Sequence, residues 1–127
     1  MSKQVVFTEK SPPPIGPYSQ AIIANGFVYL AGQTAFLPEK GDFSDSTVEG
    51  QTHQIFKNLQ AILQAAGAGL ENVIKTTVFL KDMNDFASMN GAYGQYFPNQ
   101  PPARSTVEVA RLPKDALVEI ELIAVLP

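Results

Sequence analysis

Two side chains in the last quarter of the chain are the best placed for chemistry. Arg104 follows Pro101-Pro102-Ala103. Proline fixes its own φ and restrains the residue before it, so the approach to Arg104 is stiff. A stiffly mounted guanidinium suits bidentate capture of a planar carboxylate or phosphate. An ion pair to Glu108, Glu119 or Glu121 is the structural alternative. Glu119 sits between Val118 and Ile120 in an apolar run. A carboxyl placed there is desolvated unless partnered, and desolvation raises its basicity. Such a group can orient water and shuttle a proton; Glu121, two residues on, is an equal candidate. Tyr18 could offer its hydroxyl to a ligand or simply pack. At Gly32 the backbone can approach a ligand closely, or merely bend. Phe86 and Asn90 are four apart and share a helix side; Asn90 could contact a ligand or stay solvated.

The composition closes other routes. One histidine, His53, and no cysteine argue against a metal site and leave no thiolate zinc site, disulfide framework or cysteine nucleophile. His53 reads as a solvated residue on a helix flank. No Gly-x-Ser-x-Gly elbow supports a serine hydrolase. Gly67-Ala68-Gly69 follows a helix rather than opening one, so it is no phosphate loop. Nine basic against 12 acidic residues give a net charge of −3, which disfavours nucleic acid as a partner. With 45% hydrophobic and 17% charged residues the balance is globular. No apolar run is long enough to span a membrane, and MSKQVVFTEK lacks a signal-peptide core. The expectation is one cytoplasmic domain over residues 1–127.

The elements that must carry these groups follow from pattern. Residues 4–7 read as a short strand. Residues 18–24 and 27–31 flank Asn25-Gly26, the strongest short signal for a hairpin. Gly32 ends the second strand, and residues 33–45 read as a loop. Ser46 with Glu49 fits a capping box. Ile55, Phe56, Leu59, Ile62, Leu63 and Ala66 then follow a helical period, with Gly67 as a left-handed cap. Lys57, Asn58, Gln60 and Gln64 face away. Residues 73–81 are β-branched and read as a strand. Asp82 or Asn84 caps a second helix running to about Phe97 and weakened by Gly91 and Gly94. Residues 104–110 and 117–125 are the last strands. The sum is a two-layer α+β fold: a mixed sheet with two helices on one face.

Strand alternation then selects a face. Val118, Ile120, Leu122 and Ala124 form one apolar set; Glu119, Glu121, Ile123 and Val125 form the other. With the apolar sets turned to the helices, Arg104 and Thr106 join Glu119 and Glu121 on the uncovered face. A face so mixed suits a surface partly buried against another subunit, with polar groups gathered in a cleft.

Four segments carry a family resemblance: Ile15-Gly16-Pro17-Tyr18-Ser19-Gln20-Ala21; Tyr29-Leu30-Ala31-Gly32-Gln33; Asn84-Asp85-Phe86 with Asn90 and Tyr93; and Pro102-Ala103-Arg104-Ser105 through Leu112-Pro113 to Glu119-Ile120-Glu121. Together they resemble the RidA (YjgF) family of reactive-intermediate deaminases over essentially the whole chain. The resemblance implies a chorismate-mutase-like fold, a homotrimer with clefts between subunits, and no cofactor. It implies hydrolysis of 2-aminoacrylate-type enamines and their imine tautomers to 2-oxo acids and ammonia. By position, Arg104 would hold the substrate carboxylate, Glu119 would position water, and Tyr18, Gly32, Phe86 and Asn90 would line the pocket. Thr106 stands where many relatives carry cysteine, so either thiol chemistry is unnecessary or only the backbone there matters. The rival reading is a module that binds a 2-oxo acid without important turnover. A ribonuclease is the weakest reading, because a net acidic chain lacks a histidine pair for acid–base work.

Overall fold

The computed structural model describes residues 2–127. Along them run β1 (Gln4–Val6), β2 (Ala21–Ala24), β3 (Phe27–Gln33), β4 (Phe36–Leu37), β5 (Asp42–Phe43), α1 (Val48–Ala65), β6 (Val73–Leu80), α2 (Phe86–Tyr93), β7 (Ala103–Glu108) and β8 (Val118–Val125). Asn25 and Gly26 adopt φ of 57° and 80°, the left-handed pair a two-residue hairpin turn requires, and β2 and β3 pair antiparallel across it. The main sheet has the order β1-β2-β3-β8-β6-β7. Only β6 and β7 pair in parallel; the other neighbours are antiparallel. β3 and β6 therefore run the same way, with β8 between them. The chain crosses from β3 to β6 through α1, then from β6 to β7 through α2. Two crossovers of one hand, advancing in one direction, put both helices on one face.

Helix α1 supplies the centre of the core. Ile55, Phe56, Leu59, Ile62 and Leu63 are wholly buried against the sheet, each worth roughly 1.5–3 kcal/mol of apolar transfer. Its C-terminus closes in a Schellman motif: Ala68 N–H donates to Leu63 O at 2.9 Å and Gly67 N–H to Gln64 O at 3.0 Å, with Gly67 at φ 85°. Helix α2 is held through aromatic packing. Tyr93 and Phe97 lie at 5.5 and 5.6 Å from the Phe56 ring, and Tyr96 stacks on it at 4.3 Å.

Several sequence expectations need correction. The cap of α1 is Thr47, whose hydroxyl accepts from Gly50 N–H, one residue beyond the expected Ser46. Asp45 takes the place of the expected second capping partner by accepting from Thr47 N–H and Oγ1 at 2.7 Å. Asn58 is buried rather than solvated, donating to Thr34 O at 3.2 Å. His53 is half-buried, its Nδ1 2.6 Å from the Tyr96 hydroxyl. Residues 33–45 contain a small hairpin of β4 and β5, clasped by Phe36 against Phe43 at 5.5 Å. The second helix is shorter than its pattern: the α-helical part stops at Tyr93 and tightens into a 3-10 turn from Gly94. No helix among the described residues is long and apolar enough to cross a membrane.

Candidate functional site

The first group of site residues gathers at the C-terminal end of β3. The pairing of β3 with β8 is irregular between Leu30 and Gln33, and Gly32 lies in that irregularity. Its backbone is not left-handed; it is glycine because of space. A Cβ there would stand 2.9 Å from the Glu119 carboxyl carbon and would collide with its Oε2. The missing side chain is where the Glu119 carboxylate sits. Burial holds that carboxyl above its ordinary pKa, and the negative charge of Glu121 raises it further. Tyr18, Phe36, Lys114 and the proline loop wall a cleft of about 340 Å³ around Gly32 and Glu119. Buried Gln20 fixes that loop: its Oε1 accepts from Thr8 N–H at 2.8 Å while its Nε2 donates to Thr8 O at 3.1 Å and Pro12 O at 3.0 Å.

The second group gathers where β7 passes α2. The Arg104 guanidinium carbon lies 4.7 Å from the centre of the Tyr93 ring and 5.6 Å from that of Phe86, a platform that orients the fork. Tyr93 is itself pinned to the sheet by a 2.7 Å hydrogen bond between its hydroxyl and Thr76 Oγ1. Among the described residues no carboxylate pairs with Arg104; Glu108, the nearest candidate in sequence, accepts from Met83 N–H instead. Asn90, one turn from Phe86, and Thr106, two residues from Arg104, each carry a buried side-chain oxygen, Oδ1 and Oγ1, without a hydrogen-bond partner. Buried oxygens left unpaired are costly, and these two lie on the same two elements that carry Phe86 and Arg104.

The two groups do not meet within one chain. In register, Arg104 stands beside Thr76 and Thr106 beside Val78, both buried toward the helices, whereas Glu119 stands beside Phe79 on the open face. Arg104 and Thr106 therefore project on the helix side of the sheet, opposite to the expectation, while Glu119 and Glu121 lie on the uncovered face as expected. The cause is that β7 is an edge strand, so its apolar set need not be buried. It pairs with β6, and at that edge it sends Ser105 and half-exposed Val107, not Arg104, to the open face. Tyr18, Gly32 and Glu119 are brought together, as are Phe86, Asn90, Arg104 and Thr106. Tyr93, Gln20 and Lys114 carried no individual role in the sequence pattern. Tyr93 was detectable as the third member of the Phe86–Asn90 helix stripe; Gln20 was not, because its value lies in clamping a loop eight to twelve residues away.

Comparison with known proteins shows the family of the chain. Residues 8–126 match the family model described as Endoribonuclease L-PSP. The chain is 51% identical to a protein of Arabidopsis thaliana named Reactive Intermediate Deaminase A, chloroplastic, over 99% of this chain and 67% of that one. It is 43% identical to the human 2-iminobutanoate/2-iminopropanoate deaminase, over 97% of this chain and 90% of the relative. Other relatives, from 46% to 57% identical, carry only the name RutC family protein. Among solved structures, Escherichia coli TdcF with bound serine superposes with a TM-score of 0.91 at 40% identity, covering 98% of this chain and 99% of that one.

Proposed function

This chain belongs to the endoribonuclease L-PSP family, in which the RidA-type deaminases fall, and on that premise we propose that it hydrolyses the reactive enamines 2-aminoacrylate and 2-aminocrotonate, through their imine tautomers, to 2-oxo acids and ammonia. The observation that carries the reading is Arg104: a guanidinium on an aromatic platform, free of any carboxylate among the described residues, with an unpaired buried oxygen on each of the two elements, α2 and β7, that form its surroundings. It is a receptor for a carboxylate the chain does not supply. Glu119, desolvated above Gly32, is the matching proton acceptor. The two lie on opposite faces of one sheet, so a complete site requires a second copy. We assign the active form to a homotrimer whose clefts join the Glu119 side of one subunit to the Arg104 side of the next. The uncovered face, with half-exposed Tyr29, Val107 and Val125, is apolar enough to be covered in that way.

The chemistry needs little more. An imine carbon is already electrophilic. Arg104 holds the α-carboxylate and so sets the position of that carbon. Glu119 orients a water and accepts its proton as the oxygen bonds to carbon. That proton passes to the nitrogen, giving a carbinolamine; the carbinolamine hydroxyl proton then moves to the nitrogen through Glu119, the C–N bond breaks as the C=O bond forms, and ammonia leaves a 2-oxo acid. Asn90 and the Thr106 hydroxyl would hydrogen-bond the substrate. Binding without turnover is the second reading, favoured by the serine seen in the E. coli relative.

A lyase that releases the imine in situ, with ammonia and 2-oxo acid timed with and without the protein, tests both. Turnover above the spontaneous rate is expected. Arg104→Ala should lower kcat/KM by about a hundredfold or more, the worth of a bidentate charged contact, while the oligomer persists by light scattering. Binding of 2-oxobutanoate with no accelerated release would reject the enzyme and leave the binding module.

A further inference from the structure

Among the described residues, two turns place consecutive residues in the left-handed region. One is Asn25-Gly26, the pair best suited to it. The other is Lys114-Asp115, with φ of 57° and 61° and with Ala116 N–H donating to Pro113 O at 3.1 Å. Aspartate, like asparagine, tolerates this region through its short polar side chain, but lysine is not suited to it. Asp115 has a compensation in its 2.8 Å salt bridge to Arg111. Lys114 has none of that kind: among the described residues its ammonium pairs with no carboxylate, and instead lies 5.3 Å from the centre of the Phe36 ring. Phe36 and Lys114 both line the cleft that holds Gly32, Tyr18 and Glu119. Strained residues of this kind collect at ligand-binding positions.

We propose that Lys114 is a specificity residue which holds a second anionic group on the substrate side chain, so that the cleft favours imines and 2-oxo acids derived from acidic amino acids. The proposal rests on the deaminase site described above, in which a neighbouring Arg104 takes the α-carboxylate and the reacting carbon lies at Glu119. The substrate side chain then runs along the apolar wall of Ile15, Pro12 and Phe36. A short methylene stem suits that wall, and a terminal carboxylate reaches the Lys114 ammonium beside it.

The test is calorimetric binding of 2-oxoglutarate and 2-oxobutanoate to the intact oligomer, beside ammonia release from the corresponding imines. The wild type should bind 2-oxoglutarate about fivefold more tightly, in the range of a partly exposed charge pair. Lys114→Met should erase that preference and Lys114→Arg should keep it. Lys114→Gly should raise Tm by relieving the backbone while also erasing the preference. Equal affinities in the wild type, or a Lys114→Met protein that keeps the preference, would overturn the proposal. So would a fall in Tm of Lys114→Gly with the preference intact, since that assigns the lysine to the turn. A preference in binding with no ammonia release would leave this inference standing and reject the deaminase. Ammonia release from both imines without a preference would do the reverse.

Discussion

Glu119 and its surroundings show how a single missing carbon organises a site. Gly32 is spatially, not conformationally, required, so Gly32→Ala should fold normally yet displace the carboxylate. Misplacement of a catalytic group by about 1 Å can cost up to about a hundredfold, and kcat of Gly32→Ala should fall by roughly ten- to a hundredfold with Tm almost unchanged. The neighbouring charge gives a second handle. In the proposed reaction Glu119 acts as a base only when ionised, so activity should be lost as pH falls through its pKa, beginning above the ordinary glutamate range because burial raises it. Glu121 raises it further. Removing that charge in Glu121→Gln should therefore move the acid limb of the kcat/KM profile to lower pH without abolishing turnover. Abolished turnover would exchange the roles of the two glutamates. The sequence pattern left both candidates open and the family resemblance favoured Glu119; the closeness of Gly32 to that carboxylate is the structural feature that distinguishes the two.

At the scale of elements, strong local signals located the structure well. Asn25-Gly26, the apolar stripe from Ile55 to Leu63 and Gly67 all act where their pattern says. A methyl group on Gly67 would meet nothing within 4 Å, but the backbone there has a φ of 85°. Gly67→Ala should therefore lower stability by about 1 kcal/mol through the backbone alone. Chemical denaturation should register that loss, and kcat should not change. Weaker signals misled in physically intelligible ways. Ser46 and Thr47 are chemically equivalent caps, and which one bonds Gly50 depends on how Asp45 is used. Asn58 looks solvated in a polar run, but the carbonyl of Thr34, brought over α1 by the β4–β5 segment, supplies the hydrogen bond that its burial requires. Gly91 and Gly94 weaken the second helix as their propensity implies, and the chain tightens at Gly94.

At the scale of the molecule, the proposed assembly predicts complementation. Arg104→Ala and Glu119→Gln should each be inactive alone. In co-expressed mixed trimers, a cleft that draws Arg104 from one chain and Glu119 from the next should regain both groups in about a quarter of cases by random assortment. Recovery of roughly that fraction of activity supports clefts between subunits; no recovery would place both groups in one chain and reject the arrangement. Local chemistry in the chain was enough to select the α+β class, the hairpin and the helices, because these depend on side-chain type and short-range periodicity; it offered Arg104, Glu119, Tyr18 and Gly32 only as candidates, which the family resemblance gathered into one proposed site. It was not enough to say which face Arg104 occupies. That was settled when β7 paired in parallel with β6 rather than with β8, a contact between segments some thirty residues apart. Alternation assigns neighbours to opposite faces, but only long-range pairing and the position of α2 decide which face is which.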